Sequence, residues 1–197
     1  MDWHASKNQC GVNVEEEVNE EVAKRAFESI QKRAKELRTV PDITIVSLHW
    51  GSNWNWGNPS KWRKFAHTLV DLGVDVVIGH SSHHVKGMEV YKNKFIAYGL
   101  GDFLNDYEGI VGQGYEDYRN DLSALYLPVI DLKTKELLQV DIIPCKIKHL
   151  KVQRATDASD VAWLQSTFNR EGSGLGTSCK IETTATSGTR LKLEWKH

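Results

Sequence analysis

Two short apolar runs constrain this chain more than anything else in it. ITIVSLHWG begins at Ile43 and VDVVIG begins at Val74, and both are rich in β-branched residues. Each is too short for a helix and too apolar for a solvated loop, so each reads as a buried strand. Between them lies a loop, GSNWNWGNP, and then a helical pattern in which Trp62, Phe65, Ala66, Leu69 and Val70 share one face. Ser60 is expected to cap that helix and Gly73 to close it. Strand, helix and strand in this order are the grammar of a parallel sheet.

Both strands end in histidine, the first at His49 and the second at His80. Ligands of parallel sheets gather outside the carboxyl ends of the strands. The two imidazoles are therefore expected side by side. His83 and His84 follow His80 at once, in VDVVIGHSSHH. Neutral imidazole is the commonest metal ligand, and a short His-x-x-His spacing on a loop can aim two rings at one point. The alternative is a set of loop histidines that bond backbone carbonyls.

The remaining pattern is an amphipathic helix over 13–38, with Asn13 expected as its cap, supported by Glu16. A hairpin is expected around Lys92 and Asn93, and a second turning at Lys133 to Lys135. A short helix over 159–171 should end at Gly172, and a third hairpin should turn at Ser187 and Gly188. One α/β domain spanning 1–197 accounts for all of it. With 197 residues the chain can build a core of its own. Its net charge of -1 argues against nucleic acid as a partner. No run approaches the ~20 apolar residues of a membrane span. The opening MDWHASKNQC lacks the apolar core of a secretory signal. Cys10, Cys145 and Cys179 are too far apart for a zinc knuckle or a disulfide framework.

Further along, Asp102 and Asn105 in GDFLND stand beyond a third strand end, near the histidines if the sheet is as drawn. Turn and capping roles are the alternative for both. Trp50, Asn53, Trp54 and Trp56 belong to the loop after the first strand. There they either pack or offer a platform to a sugar or polymer.

VSLHWG, GHSSHHVKGMEVY and FIAYGLGDFLNDYEGI, in this order, resemble the CapA family of poly-γ-glutamate capsule synthesis proteins. The resemblance runs from about Gly11 to the closing LKLEW. It implies a fold related to the calcineurin-like metallophosphoesterases: a metallophosphatase-like sandwich of mixed β-sheets flanked by helices. It implies a divalent metal, Mn, Zn or Fe, held by His49, His80 and His83. His84 and Asp102 would act in catalysis, and Trp50, Asn53, Trp54 and Asn105 would meet a polymer or phosphoester substrate. Complete family members also carry a GD motif at an early strand end and an NNH-type motif, and this sequence shows neither. The chain is therefore expected to correspond to the C-terminal half of such a domain, with a non-catalytic accessory module or an inactive fragment as the alternative to a metal-dependent hydrolase or transferase.

Overall fold

The computed structural model describes residues 12–105, 110–184 and 188–196. Cys10, the opening MDWHAS stretch, Glu108 and the Ser187 turn position lie outside these residues.

The first helix, α1, spans Glu20–Glu36, so it starts later than the periodicity suggested. Asn19, not Asn13, is the cap: its backbone is extended and its side chain accepts from Val22 N at 3.0 Å. The reason is burial. Val12 and Val14 are exposed, and packing begins only with Val18, Val22 and Ala23, which lie against α2. An isolated helical turn has nothing to hold it before that point. Strand β1 is Ile45–His49, α2 is Ser60–Leu72 and β2 is Val76–His80. Ser60 is the first helical residue rather than the cap. Pro59 takes the extended cap conformation, and no side chain bonds there. Gly73 closes α2 as expected, in the left-handed conformation at φ 113°.

β1 and β2 pair in parallel, with His49 opposite His80. β3 (Met88–Tyr91) and β4 (Lys94–Ala97) form the hairpin, with Lys92 and Asn93 both at positive φ. β4 then pairs in parallel with β2, giving a mixed sheet in the order β1-β2-β4-β3. The second sheet is antiparallel. It holds β5 (Leu122–Ile130), β6 (Leu137–Lys148), β8 (Thr177–Thr184) and β9 (Gly188–Trp195) in the order β5-β6-β9-β8. A short β7 (Lys151–Arg154) pairs with β6. The third helix, α3, is Ala158–Gly172. It ends at Gly172 as expected, and one 3-10 turn, Ser173–Leu175, follows.

Burial sorts the layers. Val77 and Ile96 of the first sheet, with Tyr98 just beyond β4, pack against Phe65, Leu69 and Val70 of α2 and Val22 and Ala23 of α1. On the opposite face Val76, Phe95 and Ala97 pack with Leu122, Ile142 and Leu191 of the second sheet and Leu164 and Phe168 of α3. The described residues thus form a mixed α/β sandwich of two sheets with three α-helices, as expected at the level of fold class. Among the described residues β1 and β5 are edge strands of their sheets. On β1, Ile45 is exposed, and on β5 Leu125, Leu127 and Val129 are exposed. β3 touches β8, so both of these edge strands lie away from that flank.

Candidate functional site

Three parallel strands deliver their carboxyl ends to one edge of the first sheet. β1 brings His49 and β2 brings His80, and their rings meet edge to face with centroids 5.0 Å apart. The side-by-side placement read from the two strand ends is the one observed. Burial and then the neighbouring His49 lower the pKa of His80, so this imidazole resists protonation. The chain beyond β4 brings Asp102, and both of its carboxylate oxygens lie 3.0–3.1 Å from His83 Nδ1. A carboxylate there fixes the ring and its tautomer, leaving Nε2 as the basic nitrogen.

The loop after β1 and the loop after β2 are stitched together by five hydrogen bonds. Trp50 N donates to His80 O, Ser81 Oγ to Gly51 O, His83 N to Asn53 O, Asn55 N to His84 Nε2, and Lys86 Nζ to Gly57 O. Asn53 thereby acts through its backbone carbonyl, and its side chain is exposed.

His84, expected as a catalytic group, has no nitrogen to spare. It is fully buried; Nδ1 donates to Val85 O at 3.1 Å and Nε2 accepts from Asn55 N at 3.4 Å. Trp56 and Tyr118 close on its ring at 4.4 and 4.5 Å. Burial lowers its pKa to about 4, so it is a neutral structural residue that keys the two loops. Trp50 is likewise a core residue rather than a substrate contact. Its indole lies between Trp62 and Tyr98, nearly parallel to both, and Nε1 donates to Tyr98 O at 3.1 Å. Both faces and the polar atom are used. Gly79 makes this possible: a Cβ there would collide with Trp50 Nε1 and approach Tyr98 O to 2.5 Å.

Trp54 is half-buried. It stacks on Tyr115 at 4.4 Å and lies 5.2 Å from His83. Asn105 has both amide atoms buried and without a partner among the described residues. An unpaired buried amide is costly, and a ligand is one way to satisfy it. Sequence reading missed Tyr115 and Tyr118, which one 3-10 turn presents to the tryptophans. They stand about 60 residues from the tryptophan loop, and nothing in their spacing points back to it.

Among the described residues, no three His, Cys, Asp or Glu side chains come together closely enough to hold a metal ion. His49 and His80 offer two donors, while His83 is turned to Asp102 and Trp54. A catalytic zinc needs three protein ligands and an open position. The set as placed does not complete such a centre.

No helix among the described residues is long and apolar enough to cross a membrane.

A family model described as bacterial capsule synthesis protein PGA_cap matches residues 1–107. A probable polyglutamine synthesis accessory protein of Mycobacterium tuberculosis is 44% identical over 129 residues, 66% of this chain and 33% of that relative. The capsule biosynthesis protein CapA of Bacillus anthracis is 27% identical over 119 residues, 60% of this chain and 26% of the relative. The PGA biosynthesis protein CapA of Bacillus subtilis is 29% identical over 138 residues, 65% of this chain and 35% of the relative. The chain thus spans about a third of the length of the curated relatives it matches.

Proposed function

We propose a role in capsule-polymer assembly for this chain, because it belongs to the family of bacterial capsule synthesis proteins, PGA_cap. Its part is to hold a segment of an anionic polymer of the poly-γ-glutamate type at the carboxyl edge of the first sheet. One observation carries this reading: His49 and His80 stand side by side at that edge. Beside them on the stitched loops are Asn53 and Trp54, and in the chain beyond β4 the Asn105 amide is buried without a partner among the described residues. Imidazoles and amides donate to carboxylate and carbonyl oxygens, and a half-buried indole packs the apolar methylenes between them.

The second reading is hydrolysis or group transfer on a phosphoester or amide. It is favoured by the His83–Asp102 pair, in which a carboxylate orients an imidazole as in many general bases. The layered, helix-flanked sheets are compatible with a metallophosphatase-like sandwich, whose Mn, Zn or Fe site would draw on His49, His80 and His83.

Equilibrium dialysis of the full chain against a γ-linked glutamate oligomer tests the first reading. Binding is expected, and His49→Ala and His80→Ala should each weaken it about tenfold, the loss of one charge-assisted hydrogen bond. In parallel, metal content by mass spectrometry after dialysis should show at most one ion. A chromogenic phosphodiester with added manganese should not be turned over. Two tightly held ions, or robust turnover lost in both variants, would replace the binding role with the catalytic one.

A further inference from the structure

The indole of Trp56 that packs on His84 also lines a separate cavity of about 370 Å³, between the start of α2 and the end of α3. Its walls include Asn58, Arg63, Arg170 and Glu171. None of these residues belongs to the histidine edge, and neither reading above uses them.

Two guanidinium groups meet there with donors to spare. Arg63 gives one terminal nitrogen to Glu89 at 3.0 Å and the other to Gly174 O at a long 3.5 Å. Its Nε is buried and has no partner among the described residues. Arg170 lies over the Trp56 ring at 4.4 Å and gives Nε to Glu171 at 2.7 Å. Among the described residues its terminal nitrogens donate to nothing. Behind that wall the buried Lys86 gives Nζ to Gly57 O at 2.7 Å, without lining the cavity itself. Two arginines of the lining thus stand beside one carboxylate of the lining, Glu171, which is already paired, as is Glu89 with Arg63. Beside the spare donors stands one spare acceptor, Asn58 Oδ1, also buried and unpaired.

A ligand that satisfies this set brings an anionic oxygen for the arginines, an N–H for Asn58 and a flat or apolar part for Trp56. The geometry points to a binding subsite for an N-acylated α-amino acid, whose carboxylate and amide N–H sit on one carbon. This deepens the polymer reading and rests on it for its biological ligand. In a γ-linked glutamate chain every unit after the first repeats that carboxylate and N–H pair, whereas an α-linked chain has it only at its C-terminus. The cavity would therefore read the linkage of the polymer as well as its charge.

The test is binding of N-acetylglutamate, a γ-linked glutamate trimer and an α-linked trimer to the full chain, followed by ligand-observed NMR. Asn58→Ala and Arg170→Gln are the informative variants, because neither residue anchors the core; unchanged circular dichroism melts establish that they fold. N-acetylglutamate should bind, its α-methyl ester should not, and each variant should weaken binding about tenfold. Binding that both pocket variants retain in full overturns the subsite, even if the γ-linked trimer still needs His49 and His80. Pocket-dependent binding of N-acetylglutamate with no binding of the γ-linked trimer supports the subsite and overturns the polymer reading instead. No binding of any probe overturns both.

Discussion

At pH 7 His84 is uncharged, and folding depends on its staying so. Its pKa is near 6.5 in an unfolded chain and about 4 in the fold, where burial penalises the cation. As pH falls below 6.5 the unfolded chain takes up the proton first. The stabilisation is complete above pH 6.5 and is lost progressively down to pH 4, where the loss reaches on the order of 3 kcal/mol. His80 shifts in the same direction and adds to the slope. The carboxylates whose pKa values are lowered, such as Asp160 and Glu89, act only below about pH 4.5, so the two effects occupy different windows. Urea midpoints at pH 7 and pH 5 should therefore differ clearly in the wild type. They should differ less in a His84→Asn variant, which starts weaker; equal slopes would remove His84 as the cause. At this scale the sequence could show that imidazoles gather here, because strand ends and spacing are local. It could not show which imidazole faces out. His83 and His84 are adjacent in sequence, and only the distant Tyr118, Trp56 and Asp102 decide that one is sealed and the other oriented.

The exit of β2 is the element on which the site is mounted. Gly79 lets the Trp50 indole cross the strand, and the indole in turn joins α2, through Trp62, to the end of β4, through Tyr98. Gly79→Ala puts a methyl group into that crossing and should cost about 1–3 kcal/mol, the usual range for overpacking. Chemical denaturation measures it, and a cost below 0.5 kcal/mol would mean that the stack relaxes freely. The elements themselves were largely legible. A 3.6-residue period, a closing glycine and an Asn-containing two-residue turn are local signals, and α2, Gly73 and the β3–β4 hairpin followed them. The start of α1 was not legible, because two asparagines precede it and tertiary contact with α2 selects the second.

The parallel pair β1–β2 and the class of fold were readable from the order of elements. The stacking of two sheets was not, since alternation marks a strand's faces without saying what covers them. The exposed row Leu125, Leu127 and Val129 belongs to this scale: a long apolar edge strand is a template for pairing with other chains. Leu127→Lys should leave the melting transition within about 0.5 kcal/mol of the wild type, since the site is already 43% exposed. It should slow concentration-dependent association seen by light scattering; an unchanged rate would clear this edge. The stitching of the two site loops has a further consequence. Joined at five points, they form a single leaf hinged on the sheet. A ligand that lifts His83 must also move Trp54 and disturb the exit of His80, so the rim responds to its ligand in one step or not at all.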